Sequence, residues 1–156
     1  MNTANVIAPI HREPELLGQT VVVIGGSAGI GFETARLARA KRADVILTGR
    51  DPERLYRAAS EIDAQSTAAF DATDFRLLER FFDGLPAPVD HILVTRPGPY
   101  YAPLAEFDFD KARSDIEAHL LLPVQLGRIS RNKVRPGGTC SSWVEPAAVG
   151  QGRGSS

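Results

Sequence analysis

Apolar residues along this chain fall into two alternating rhythms. Thr20–Ile24 is an unbroken β-branched run between Gln19 and Gly25. A run without polar alternation predicts a strand buried on both faces of a parallel sheet. From Gly29 the period lengthens: Ile30, Thr34, Leu37, Ala38 and Ala40 recur at helical spacing up to Lys41 and Arg42, whose charge suits a helix C-terminus. Residues 44–48 form a second apolar strand. Asp51-Pro52-Glu53 then combines an N-cap acceptor, a first-position proline and a first-turn acid, predicting a helix to about Ile62. Residues 66–70 give a third strand. Asp71-Ala72-Thr73-Asp74 is a turn in which Thr73 or Asp74 caps a helix with Leu77, Leu78 and Phe81 on its apolar face. Residues 91–95 are a fourth strand, 96–103 a loop rich in proline, glycine and tyrosine, and 105–133 a long helix that Pro123 should kink. Arg135-Pro136-Gly137-Gly138 reads as a turn.

Strands alternating with helices imply right-handed βαβ units. The expected fold is α/β: a Rossmann-like, doubly wound parallel sheet in three α/β/α layers, incomplete at its C-terminal edge. The division expected is an N-terminal arm over 1–17 ending in a turn at Leu17-Gly18, a dinucleotide-binding domain over 18–139, and an irregular or disordered tail over 140–156.

Composition narrows the classes. The chain has 156 residues, 43% hydrophobic and 24% charged, which suits one globular domain. Eighteen basic and nineteen acidic residues leave a net charge of -1, so no electrostatic case exists for nucleic acid or an anionic membrane as partner. The single Cys140 rules out an internal disulfide. No apolar run approaches the ~20 residues of a membrane helix, and residues 1–17 show no signal-peptide pattern. A cytoplasmic protein is expected, with no metal site.

The chemistry concentrates at Gly25, Gly29 and Gly31, a G-x-x-x-G-x-G turn set between strand and helix. Such a turn brings backbone amides close to a pyrophosphate. A side chain at Gly29 would obstruct that approach, and one at Gly31 would push the helix off the sheet. The helix mouth offers unpaired N–H groups and a positive dipole end, and Ser27 adds a hydroxyl. A bare tight turn would use glycines too, but the flanking elements stand where nucleotide binding needs them. The turn lacks the Gly-Lys-Ser/Thr ending of a P-loop. At the end of the second strand stand Thr48, Gly49 and Arg50. An NAD site usually places a carboxylate there for the ribose hydroxyls, whereas an arginine suits the 2′-phosphate of NADP. Arg50 can fork onto a phosphate, so NADP(H) is expected over NAD(H). The competing reading makes Arg50 a surface residue beside the Asp51 cap.

These residues resemble the short-chain dehydrogenase/reductase family over 17–139. Ile24-Gly25-Gly26-Ser27-Ala28-Gly29-Ile30-Gly31 is similar to its T-G-x-x-x-G-I-G turn, Thr48-Gly49-Arg50-Asp51 to its NADP-preferring variants, and Phe70-Asp71-Ala72-Thr73-Asp74 to its third-strand end, where the aspartate contacts adenine. The resemblance implies cofactor contacts at Gly25, Ser27, Ala28, Gly29, Ile30, Gly31, Arg50, Asp71, Ala72 and Thr95. Without it, Asp71 reads as a turn-forming residue. Two stretches depart from the pattern. Thr95-Arg96-Pro97-Gly98 stands where the family has N-N-A-G. His119 is the nearest match to its helix asparagine and reads either as a proton-relay substitute or as a helix-face histidine.

The family's Tyr-x-x-x-Lys is absent. Tyr56, Tyr100 and Tyr101 are followed four residues later by Ser60, Leu104 and Ala105, so no catalytic residue is assigned. Ser141 and Ser142 lie near the expected serine, and Tyr100 and Tyr101 either line a substrate pocket or pack a surface loop. After Thr139 the apolar pattern stops. The genetic code permits 139–143 to be an out-of-frame reading of an apolar strand, so a chain truncated or frameshifted there is expected. Three functions stay open: an NADP(H)-dependent oxidoreductase acting on a small carbonyl or alcohol by descent, a non-catalytic NADP(H)-binding protein, or an inactive fragment. The face with Leu120, Leu121, Leu122 and Leu126 is expected to drive aggregation or homo-oligomers.

Overall fold

The structure, a computed structural model, describes residues 16–85 and 87–144. Five strands are joined in one parallel sheet: β1 (Thr20–Ile24), β2 (Asp44–Gly49), β3 (Ser66–Ala69), β4 (Val89–Arg96) and β5 (Val134–Val144). Their order is β3-β2-β1-β4-β5. The chain therefore winds outward from β1 in one direction and then restarts on its other side. A crevice opens at that reversal, outside the carboxyl ends of the strands.

Strand β1 pairs with both β2 and β4. Its side chains alternate between two cores, as the period of two demands. Val21 and Val23 pack with Val45, Leu47, Ala35, Ala38, Leu55 and Ile62. Val22 and Ile24 pack with Ile46, Leu78, Phe82, Val94, Leu122 and Leu126. Helices α1 (Gly29–Ala40) and α2 (Pro52–Ile62) cover the first face, and α3 (Phe75–Asp83) and α5 (Leu122–Lys133) the second. This is the three-layer arrangement that the apolar run at Thr20–Ile24 implies.

Caps place the helix starts. Asp51 accepts from Glu53 N and Arg54 N at 3.0 and 3.1 Å, with Pro52 at the first position. Asp74 does the same for α3, and Asp108 for α4 (Phe109–Ile116). Thr73 is not the cap; it bonds to Asp71 instead. Helix α1 differs: it starts at Ala28 with no side-chain cap.

Several sequence expectations need correction. Helix α1 buries Gly31, Ala35 and Ala38, while Leu37 is exposed. It lies so close to the sheet that only small residues fit between them. Helix α3 buries Leu78 and Phe82, one residue on from the expected Phe81. The long helix begins after a short 3₁₀ turn, Leu104–Glu106, and runs as α4, a π turn (Glu117–Leu121) and α5. Pro123 lacks an N–H, and its ring crowds the carbonyl four residues back. The wider turn just before it accommodates that strain. Leu122 and Leu126 are buried against the sheet, so the outward apolar face consists of Ile116, Leu120, Leu121 and Val124.

The expectation of an irregular tail from Cys140 is corrected for residues 140–144. Cys140 to Val144 continue β5, paired in register with Ile92 to Arg96 of β4. The backbone ladder carries this pairing, with one side-chain bond, His91 Nδ1 to Thr139 Oγ1 at 2.9 Å; the side chains of 139–143 are exposed, so an edge strand here needs no apolar pattern. The Arg135-Pro136-Gly137-Gly138 turn is an irregularity within β5, where the register jumps between Val89 and His91. The remainder of the expected tail, 145–156, and residues 1–15 of the expected arm lie outside the described residues. The turn at Leu17-Gly18 is present, with Gly18 at φ 73°.

Candidate functional site

The turn from β1 into α1 is built by backbone constraints that dictate its glycines. Gly25 has φ 85° and Gly29 φ 56°, a left-handed region that side chains rarely adopt. A Cβ on Gly25 would strike the carbonyl oxygen of Thr95. One on Gly31 would strike Gly25 O and Thr95 Oγ1, which is the close helix-to-sheet approach expected of that glycine. Gly25 N and Gly26 N both donate to Thr48 O at 3.1 Å. Thr95 Oγ1 donates to Gly25 O at 3.1 Å. The turn is thus tied to β2 on one side and β4 on the other.

This arrangement narrows the expectation for the amides. Those of Gly25 and Gly26 are committed to Thr48, so the amides left to meet an anion are those at the mouth of α1. The first turn of a helix has N–H groups without intrahelical acceptors. With no side-chain cap at Ala28, they face the crevice together with the positive end of the helix dipole.

The crevice is a cleft of about 680 Å³, within the range of small-molecule and cofactor pockets. Gly25, Ser27, Ala28, Gly29, Ile30, Arg50, Asp71, Ala72 and Thr95 all line it; Gly31 lies beneath, holding α1 against the turn. Ser27 Oγ sits beside Gly49, 3.3 Å from where a Cβ on that residue would be. Arg50 is exposed at the rim. Asp71 accepts from Thr73 N at 2.9 Å and Thr73 Oγ1 at 2.8 Å, so it shapes its turn as well as facing the cleft. Burial works to raise its carboxyl pKa. The two Thr73 bonds, helped by Arg50 and Arg96, outweigh burial and hold it below the usual carboxylate range.

The far wall comes from β4 and the long helix. His119 is fixed there: Nδ1 lies 3.0 Å from the Asp115 carboxylate, and Nε2 lies 3.0 Å from Pro97 O. It lines the cleft and locks the 97–98 loop to the helix. Tyr100 also lines the cleft, packed on Phe107, with its hydroxyl accepting from Asp108 N at 3.0 Å. Tyr101 is exposed and is not among the lining residues. Ser141 and Ser142 stand on β5 opposite Leu93 and Val94, outside the lining.

Arg96, Lys111, Ser114 and Asp115 also line the cleft and were not foreseen as site residues. Lys111, Ser114, Asp115, Ala118, His119 and Leu122 share one helix face by their spacing of three and four. That periodicity was the available signal.

The donor set fits a dinucleotide: an uncapped helix mouth, glycines that no Cβ could replace, and an arginine at the end of β2. Among the described residues no helix is long and apolar enough to cross a membrane.

Known proteins agree with this geometry. The family model described as short chain dehydrogenase matches residues 19–94. Retinol dehydrogenase 12 of Bos taurus is 31% identical over 134 residues, covering 78% of this chain and 42% of its own length. The citronellol catabolism dehydrogenase AtuB of Pseudomonas aeruginosa PAO1 superposes with a TM-score of 0.74 at 27% identity, over 85% of this chain and 58% of that one. BdcA in complex with NADPH superposes at 0.75 with 20% identity, over 83% and 52%, a likeness of fold alone. The chain spans about half the length of the relatives it matches. Sheet order, glycine turn and matched segment lead to one assignment: this chain belongs to the short-chain dehydrogenase/reductase family of oxidoreductases.

Proposed function

We propose that the cleft binds NADP(H) in preference to NAD(H), and that the chain is the cofactor-holding part of an oxidoreductase acting on a small carbonyl or alcohol. The mouth of α1 takes the pyrophosphate, with Ser27, Ala28, Gly29 and Ile30 around it and Gly25 and Gly31 holding the turn. Asp71 and Ala72 take the adenine side, with Thr95 at the base of the cleft. Arg50 takes the 2′-phosphate. When bound, the nicotinamide would supply hydride chemistry. The observation that carries the preference is the end of β2: Thr48 and Gly49 offer no carboxylate to the ribose, and Arg50 stands at the rim with its guanidinium in the field of Asp71.

The 156 residues contain no Tyr-x-x-x-Lys, the pair whose lysine lowers the tyrosine pKa for acid–base work in the family. A second reading follows from that fact: the chain binds NADP(H) without turning it over. NADPH-dependent melting with no oxidation of NADPH against a carbonyl panel supports the second reading. Turnover at any carbonyl supports the first.

The cofactor test is Arg50→Ala. A lost charge-assisted phosphate contact is worth about 1.5–3 kcal/mol, so NADPH affinity should fall about tenfold to a hundredfold while NADH affinity holds. Unchanged NADPH affinity in that variant removes the assignment.

A further inference from the structure

The strand end that departs from the family pattern places a second arginine in the cleft. Arg96 closes β4, and Arg50 follows the end of β2. These strands flank β1 on opposite sides of the same sheet edge, about 10 Å apart by strand spacing, within reach of two arginine side chains converging on one group. Both line the cleft. Arg96 is half-buried, and its Nε is enclosed with no hydrogen-bond partner. The nearby carboxylates are engaged elsewhere: Asp71 with Thr73, and Asp115 with His119. Burial pushes the Arg96 pKa down; Asp115 and Asp71 pull it up, and the positive charge of Arg50 pushes it down again. A half-buried cation with no carboxylate hydrogen-bonded to it, in the field of a second cation, is relieved by an anion between them.

We propose that Arg96 is the second cation of the 2′-phosphate subsite, closing on that phosphate from the β4 side while Arg50 closes from the β2 side. The inference rests on the NADP(H) reading above and adds a residue to it. A single arginine at the rim is solvated and screened. A partly buried one facing it across the cleft makes the phosphate a two-sided contact, and discrimination against NAD(H) correspondingly sharper.

The test is Arg96→Gln, with Arg96→Lys beside it, titrated with NADPH and with NADH by nicotinamide fluorescence. Apo melting provides the control for folding. NADPH affinity should fall about tenfold or more in R96Q, with NADH unchanged within about twofold, partial recovery in R96K, and apo melting not lowered. Equal weakening for both cofactors overturns the proposal, since Arg96 then acts on a group they share. No change for either also overturns it. NADPH preference that is lost in Arg50→Ala but intact in R96Q sinks this inference and leaves the cofactor assignment standing. Wild-type protein that binds neither dinucleotide, or both equally, removes the NADP(H) reading and this inference with it.

Discussion

Replacing Gly31 by alanine should destabilise the chain, although helix propensity alone says the opposite. Alanine is favoured over glycine inside a helix by about 1 kcal/mol, and Gly31 lies in the first turn of α1, where that gain is smaller. Against it stands the geometry. The added Cβ would overlap Gly25 O and Thr95 Oγ1, with Gly25 C at 3.1 Å. The threonine can rotate away, but only by giving up its bond to Gly25 O, a loss of about 0.5–1.5 kcal/mol. The carbonyl is backbone and yields only if the turn or the helix moves. Forced overpacking of this kind costs about 1–3 kcal/mol. The net should be a destabilisation of about 1–3 kcal/mol, or a lowering of Tm by about 2–4 °C for each kcal/mol. Thermal denaturation by circular dichroism measures it. The double variant Gly31→Ala/Thr95→Ala removes one of the two obstructions, so it should be less destabilised than the two single variants sum to. A Gly31→Ala protein as stable as wild type would refute the reasoning, because the close approach of α1 to the sheet would then carry no constraint.

The other expectations follow from the same coordinates. Because the Asp71 carboxyl is held below its usual range in the fold, its stabilising contribution is present above the unfolded carboxylate pKa of about 4. It is lost as pH falls through the lower folded value. Asp71→Asn should therefore flatten part of the acid limb of a stability-versus-pH curve below about pH 4; an unaltered limb contradicts it. The outward face of Ile116, Leu120, Leu121 and Val124, together with the β5 edge that the described residues leave unpaired, should drive self-association. Light scattering at micromolar concentration should show oligomers or aggregates, reduced by Leu120→Glu, whereas a clean wild-type monomer rules this out. Arg50→Ala and Arg96→Gln complete the set through their effects on NADPH affinity.

The layered fold was legible because its strongest signals are local. The β-branched run of Thr20–Ile24 can only be buried on both faces, and Asp51-Pro52-Glu53 marks a helix start by its own hydrogen-bonding capacity. The glycine turn was legible for the same reason. What the sequence concealed depends on contacts between distant segments. Leu37 satisfies helical periodicity yet is exposed, because the nearness of α1 to the sheet admits only Gly31, Ala35 and Ala38. Residues 140–144 look unlike a strand, since the partner that makes them one is β4, about fifty residues earlier. Which amides of the turn are already occupied was not legible, because Thr48, which accepts from Gly25 and Gly26, lies on another strand. Arg96 read as a disruption of its loop rather than as a cleft cation. Its place there, lining one cleft with Asp71, Asp115 and Arg50, brings together residues that the sequence scatters.

The double anchoring of the β1–α1 bend has one more consequence. Thr48 and Thr95 fix its shape through hydrogen bonds internal to the fold, so the entropy of ordering this segment is met during folding and would not subtract from the affinity of a group docking there. The bend is set before any anion reaches it, and its conformation should be unchanged when NADPH is added.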